Sequence, residues 1–198
     1  MYNARLTITS RKMTVLALTL LLMLPMASAQ KTSLKTNLLY SATTTPNLAF
    51  EIGLGSKTSL ELYAGYNPWE FSNNKKLKHY LIQPEFRWWF CETFNGSFMG
   101  VHLLGGEYNV GGIKLPFGMF PSLKDYRYEG YFYGGGISMG HQWILSKRWS
   151  IEAILGVGYI RTHFDKFPCE KCGDKIKTEN KNYLGPTKAG ISLIYYLW

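Results

Sequence analysis

Hydrophobic residues alternate with polar or glycine residues in eight segments of the chain, and these segments predict β-strands. The alternation covers residues 33–42, 47–54, 58–66, 77–90, 97–109, 129–144, 149–163 and 184–197. A period of two places successive side chains on opposite faces of a sheet, so each predicted strand has one apolar face and one polar face. Eight such strands separated by turn residues favour an all-β antiparallel fold.

Residues 1–29 follow a different pattern, with basic residues ahead of an uninterrupted apolar run. The run at 13–24 is followed by the small residues at 27–29, an order typical of a signal peptide cleaved before Gln30. The run is shorter than the ~20 residues of a membrane-spanning helix, which makes an uncleaved anchor the weaker alternative. We therefore predict a signal peptide at 1–29 and one β-domain at 30–198.

Composition narrows the class of protein further. Aromatic residues make up 16% of the 198 residues and charged residues 18%, which excludes a disordered polar chain. No later segment has the run of about 18 apolar residues that a membrane helix requires. The net charge of +9 indicates surface electrostatics only, because an exported protein does not meet nucleic acid.

The alternation does not say which face of the strands is inside. A soluble periplasmic, calycin-like carrier of a hydrophobic ligand has the apolar face inside, whereas a barrel in a membrane has it outside. Connections alternate between tight and long, as in outer-membrane barrels with short periplasmic turns. This pattern favours an eight-stranded, up-and-down antiparallel transmembrane β-barrel in the cell outer membrane, with lipid around it and both termini in the periplasm.

Aromatic residues on the apolar face gather at the two ends of the predicted strands. The periplasmic group is Trp88, Phe90, Trp143, Trp149 and Tyr195, and the outer group is Tyr40, Tyr66, Tyr131, Tyr133 and Tyr159. Trp and Tyr prefer the two interfaces between membrane and water. The chain also ends in aromatic residues, which predicts contact with the barrel-insertion machinery.

Acidic and basic residues share the opposite, polar face. They are Lys35, Glu51, Glu61, Glu85, Arg87, Glu152 and Lys188. The interior of an eight-stranded barrel is just wide enough for side chains to fill it, and buried charges need partners. We therefore predict a plugged lumen with a structural network of ion pairs, and no catalytic residue, metal or cofactor.

The cysteines are few, and two of them form a C-x-x-C pair in the last long loop. A redox role for Cys169 and Cys172 would need a thioredoxin-like fold, and a zinc site would need two further ligands. A local disulfide is the favoured interpretation in an oxidising compartment. Cys91 has no partner in the sequence and is predicted to be a free thiol.

Two long loops are unusually apolar for segments that face outward. The residues concerned are Trp69, Phe71, Leu115, Phe117, Met119 and Phe120. One interpretation is packing across the barrel mouth, and the other is contact with a surface protein partner. An enzyme acting on lipid at the rim would use His79 or His163 with Ser72 or Thr162, but no triad motif is present.

Several motifs resemble those of one known family. They are the segments at 35–40, 64–69, 108–112, 128–130 and 182–188, and they resemble the domain of unknown function 3575 family of Bacteroidetes. The resemblance implies a small outer-membrane barrel and no established activity, with a weak association with surface or fimbrial assembly and anchoring. More distantly, the chain is similar to the transmembrane domain of outer-membrane protein A, without that protein's peptidoglycan-binding domain.

Overall fold

A computed structural model describes residues 31–71, 75–112, 123, 126–168 and 174–197. The predicted signal peptide at 1–29 lies outside these residues. The elements are β1 (Thr32–Asn37), α1 (Leu38–Ala42), β2 (Asn47–Gly53), β3 (Thr58–Asn67), β4 (Glu70–Phe71), β5 (Lys75–Trp89), β6 (Gly96–Gly111), β7 (Tyr126–Ile144), β8 (Trp149–Pro168) and β9 (Lys177–Tyr196). Within the described part of the chain, no helix has the length and apolar character needed to cross a membrane.

Eight strands form one antiparallel sheet that closes into a ring. The ring consists of β1, β2, β3, β5, β6, β7, β8 and β9, and each of these strands pairs with the next one in this order. The last strand, β9, pairs with β1 and closes the ring. Among the described residues, the two-residue β4 pairs with the start of β5 alone. The all-β class, the antiparallel up-and-down order and the eight strands of the ring are therefore confirmed.

The ring has two different ends. At the turn end, short connections at 54–57, 90–95 and 145–148 lie beside the backbone of Thr32 and Leu197, which are hydrogen-bonded at 2.9 Å. At the loop end the strands differ in length: β1 has 6 residues and β2 has 7, whereas β8 and β9 have 20 each. The loop-end parts of β5 to β9 that extend past β1 and β3 form what we call the projecting sheet.

Side chains alternate between the inside of the ring and its outer surface, as the period of two requires. In β3, Ser59, Glu61 and Tyr63 are buried while Leu60 and Leu62 are exposed. The polar face is thus the inner one. The exposed apolar belt around the ring consists of Leu48, Phe50, Leu60, Leu62, Ile82, Phe86, Val101, Leu103, Ile137, Met139, Leu155, Val157 and Ile191.

The prediction of a strand through residue 42 is wrong beyond Asn37. The side-chain oxygen of Asn37 accepts hydrogen bonds from the backbone N–H groups of Leu39 and Tyr40 at 3.1 and 3.4 Å. This capping starts α1, because a local side-chain bond offers the backbone an alternative to the strand. Tyr40, predicted in the outer aromatic group, consequently packs edge-on against Tyr63 with ring centroids 6.0 Å apart.

The last predicted loop, at 164–182, is also shorter than the sequence pattern suggests. β8 continues to Pro168 and β9 starts at Lys177, with Lys166 paired to Lys177 at the far end. Both faces of this part of the sheet carry polar side chains, so the alternation of apolar and polar residues that reveals a strand is missing.

Candidate functional site

Seven charged side chains meet inside the ring. Six strands contribute them, and they are all the polar-face residues singled out in the sequence: Lys35, Glu51, Glu61, Glu85, Arg87, Glu152 and Lys188. We call this group the charge cluster. The strand register brings them together because each occupies an inward position of its strand.

Arg87 is the centre of the charge cluster. Its guanidinium lies 2.6 Å from Glu85, 2.7 Å from Glu61, 2.8 Å from Glu152 and 3.2 Å from Glu51. The side chain is 0% exposed. A planar guanidinium with five N–H donors can serve several carboxylates at once, which a lysine ammonium does less well.

Two lysines complete the charge cluster. Lys35 lies 2.8 Å from Glu152 and 3.1 Å from Glu61 and also pairs with Glu51, while Lys188 lies 2.9 Å from Glu61 and 2.8 Å from Glu85. Each carboxylate is shared between two or more of the three cations. The pairs therefore form one connected network, and removing one cation leaves several buried carboxylates short of a partner.

His102, which the sequence analysis did not single out, borders the charge cluster. Its Nδ1 lies 3.6 Å from Glu85 and its Nε2 lies 2.9 Å from the hydroxyl of Thr187, beside the irregular pairing at Gly156 and Val157. Hydroxyl, imidazole and carboxylate in this order are the groups of a catalytic triad. A triad also needs room for a substrate at the hydroxyl, and neither cavity described below is lined by His102 or Thr187.

Three carboxylates of the charge cluster also have the spacing of metal ligands. Oxygen atoms of Glu51, Glu61 and Glu152 lie within 4.8 Å of one another, and all three residues are buried. The same carboxylates already contact Lys35 and Arg87. These side chains supply the positive charge that a metal would bring, so the donor set fits an ion-pair network better than a metal centre.

An aromatic plug fills the turn end of the ring, next to the charge cluster. Its buried members are Trp89, Phe94, Phe98 and Ile154, with Tyr196 packed against them. Phe94 comes from the turn after β5 and has a φ of 70°, and its carbonyl accepts a hydrogen bond from Gln142 at 3.1 Å. The guanidinium of Arg87 stacks 4.4 Å from the centre of the Phe98 ring and so joins plug and cluster.

The plug is not predicted from the sequence, although a signal for it is present. Trp89, Phe98 and Ile154 occupy inward positions of β5, β6 and β8, on the face that is otherwise polar. Large apolar residues on the polar face near the same end of three strands indicate a local apolar core. The position of Phe94, in contrast, depends on the turn conformation and has no periodic signal.

The loop end carries a cavity of about 620 Å³, lined by both exposed side chains and the buried Asn67. Lys78, His79, Glu107, His163 and Asp165 contribute polar groups to its lining, and tyrosines contribute apolar surface. His163 hydrogen-bonds to Asn180 at 2.7 Å, and His79 lies 3.4 Å from the hydroxyl of Tyr40. Among the described residues, neither histidine hydrogen-bonds to a serine, a threonine or a carboxylate, which is the contact a rim hydrolase would need.

Hydrogen bonds from neighbours lower the pKa of two exposed carboxyls at this end. The hydroxyl of Thr178 donates to Asp165 at 2.5 Å, and this bond, with help from Lys175, holds the pKa of Asp165 below its ordinary value. A hydrogen bond from Lys78 lowers the pKa of Glu70 in the same way. Both groups therefore remain charged at neutral pH, as surface carboxylates do.

The remaining sequence candidates are only partly described by the structure. Cys169, Cys172, Leu115, Phe117, Met119, Phe120 and Ser72 lie outside the described residues, as does the side chain of Phe71. Trp69 is exposed, and its indole N–H donates to the carbonyl of Thr44 at 2.7 Å. Cys91 lies exposed in a tight turn with a free thiol.

Comparison with known proteins supplies the family. No curated protein matches the chain. The family model described as "Protein of unknown function (DUF3575)" matches residues 14–197, which is nearly the whole sequence. This match confirms the resemblance read from the sequence motifs. The chain belongs to the DUF3575 family of proteins of unknown function.

Proposed function

We propose that this protein is a plugged transmembrane β-barrel of an outer membrane, with a structural or surface-interaction role. The observation that carries the proposal is the combination of an apolar outer surface around a closed ring with a charged interior. A water-soluble protein has these two surfaces the other way round.

The apolar belt is more extensive than the apolar patches on the surfaces of water-soluble proteins. Ile82 is 50% exposed, Leu103 is 65% exposed and Leu155 is 61% exposed, on three different strands of the ring. The largest apolar patch on a soluble monomer is about 300–600 Å², whereas this belt runs around the ring. Lipid removes the cost of exposing it, and the closed ring satisfies the backbone hydrogen bonds that lipid cannot.

Aromatic side chains border the belt at both ends. At the turn end, Trp149 packs against Tyr195 with ring centroids 5.0 Å apart. Toward the loop end, Tyr131 and Tyr133 are exposed and stacked at 6.5 Å. Such rings, apolar with one polar atom, suit the boundary between hydrocarbon and water on each side of a membrane.

The filled interior favours a structural role over transport or carriage. A side chain at Gly100 would place its Cβ 2.9 Å from the Glu85 carboxyl carbon, so little space is left beside the charge cluster. The cavity between Tyr63 and the charge cluster measures about 10 Å³, room for roughly one water molecule. A carrier of hydrophobic ligands, the rival interpretation of the sequence, would need an apolar cavity at this level.

Cell fractionation and gel electrophoresis test the proposal. The mature chain should be recovered with the outer membrane, and an unboiled sample should migrate differently from a boiled one because the barrel resists detergent. Recovery in the soluble periplasm without a band shift would contradict the proposal. It would direct the search to soluble partners of the exposed apolar belt.

A further inference from the structure

Within the residues that the structure describes, the loop-end part of β9 has a free edge. β1 pairs with β9 only as far as Asn37, which is opposite Ser192. There Asn37 turns the chain into α1, and its side-chain amide donates to the carbonyl of Ala189 at 3.1 Å. From Lys188 to Lys177, β9 pairs with β8 alone within the described part of the chain.

The opposite edge of the projecting sheet is covered. β3 pairs with β5 as far as His79. Beyond it, the N–H of Leu77 donates to the carbonyl of Trp69 at 3.4 Å, and β4 pairs with Lys75 and Lys76. The same sheet therefore ends in a covered strand on one side and an uncovered strand on the other.

The uncovered backbone of β9 is a template for another strand. Along an edge strand, alternate residues point their N–H and C=O groups away from the sheet, where an added strand can bind them. Proteins usually protect such edges with proline or a bulge. Here Pro186 and the bulge lie at the ring side of the segment, while Leu184 is 82% exposed beside the free edge.

The charged side chains on one face of this edge determine which side chains an added strand should carry. Lys166, Lys177 and Lys181 share the inward face with a single carboxylate, Glu179, which Lys177 contacts at 2.6 Å. Lys181 lies 5.8 Å from the ring of Phe164. The face therefore carries an excess of positive charge, and opposite charges on directly paired strands are favourable.

We propose that the free edge of β9 at residues 177–185 binds an extended segment of another protein, which adds a strand with acidic side chains facing Lys177 and Lys181. Backbone hydrogen bonds would supply affinity and the lysines would supply selectivity, as in other cases of strand addition. The partner is identified by this chemistry: an exposed, extended, acidic peptide.

A second copy of this chain fits the edge less well. Two copies in one membrane run their β9 strands in the same direction, so a two-fold symmetric pairing is parallel and in register. The same rotation turns the sheet over, so at each level an inward side chain of one copy lies beside an outward side chain of the other, and the pleats of the two edges do not match. This step, which excludes self-association, rests on the proposed membrane insertion.

Peptide binding to the full-length mature chain in detergent micelles tests the inference. The probes are a ten-residue peptide of alternating glutamate and valine and its lysine–valine counterpart. The glutamate peptide should slow hydrogen exchange at alternate amides of residues 177–185 and bind roughly tenfold more tightly than the lysine peptide. The double substitution Lys177→Glu and Lys181→Glu should remove this preference. Lys147→Glu, in the turn at the opposite end, should leave it unchanged.

Each other result overturns the inference. Equal binding of both peptides, or unchanged exchange in β9, means that the edge is not a selective template. Slow exchange in the chain alone means that a segment of the same chain covers the edge, or a second copy if the protection rises with protein concentration. The gel shift measured on the same sample separates the two proposals, since a shifted band without peptide binding refutes only strand addition.

Discussion

The inside of the ring and the projecting sheet use the same kinds of charged residues with opposite consequences. Lys35 and Glu152 lie 2.8 Å apart with side chains 2% exposed each, whereas Lys175 and Asp165 lie 3.4 Å apart with side chains 51% and 34% exposed. Inside, each charge depends on its neighbours because water is excluded. On the exposed sheet, water solvates a charge that has lost its partner. Ion pairs of similar length therefore contribute very differently to the free energy of unfolding in the two regions.

The two regions also differ in which face of the sheet is apolar. The ring has a charged inner face and an exposed apolar outer face, while the projecting sheet carries polar side chains on both faces. The first arrangement suits lipid outside and a packed interior, and the second suits water on both sides. Substitutions in the two regions should therefore differ in their effect on stability.

The largest effect is expected from Arg87→Leu. This change leaves four carboxylates around an uncharged side chain, and breaking a buried network in this way costs about 3–5 kcal/mol. Urea unfolding followed by the gel shift measures the change. Arg161→Leu, at an exposed position of β8, is the matched control and should unfold at the wild-type urea concentration. Equal midpoints for the two variants would show that the charge cluster contributes nothing to stability.

Removing the centre of the aromatic plug should have the next largest effect. Phe94→Ala deletes a buried ring that packs on Trp89 with centroids 5.8 Å apart, and such deletions cost about 3 kcal/mol. The positive φ at this position does not reduce the loss of stability, because alanine adopts that backbone conformation no more readily than phenylalanine. Phe90→Ala, an exposed residue of the same turn, should cost much less. If the two variants are equally stable by urea unfolding, the turn is not a plug.

A charge placed on the apolar belt separates the membrane interpretation from its rival. Leu103→Arg should destabilise the protein in lipid vesicles by roughly 2 kcal/mol, since arginine on the lipid face of a barrel is costly. Ser56→Arg, at an exposed position of the tight turn at 54–57, should have no measurable effect on the unfolding midpoint. A soluble protein would tolerate Leu103→Arg, because residue 103 would then face water.

The smallest effect is expected at the exposed carboxyl of Asp165. The hydrogen bond from Thr178 lowers its pKa in the folded protein, so its contribution to stability is present above the pKa of the unfolded chain. That contribution is lost as the pH falls through the lower, folded pKa. NMR titration should show a depressed pKa that returns toward the ordinary value in Thr178→Val. An ordinary pKa in the wild type would show that the hydrogen bond does not form.

The alternation of apolar and polar residues predicts the strands correctly wherever one face of a strand packs against the interior of the ring. It identifies the eight strands of the ring, and it selects all seven members of the charge cluster because each sits at an inward position such as Glu61 or Arg87. It fails at Tyr40, where capping by Asn37 outweighs periodicity, and beyond Phe164, where both faces of β8 and β9 are polar. It also places His102 on the polar face, but the contact of His102 with Glu85 follows from the pairing of β5 with β6 and has no signal in the alternation.

The strand order, the two chemically distinct faces and the family are readable from the sequence, because they follow from local periodicity and from motifs. Strand pairing in the folded chain sets which carboxylate meets which cation and how Phe94 reaches the interior. It also sets that, among the described residues, the loop end of β5 is paired with β4 while the loop end of β9 pairs with β8 alone. These features depend on strand register and on how far each strand outlasts its neighbour. Both are set by pairing between segments far apart in the chain, which no local pattern encodes.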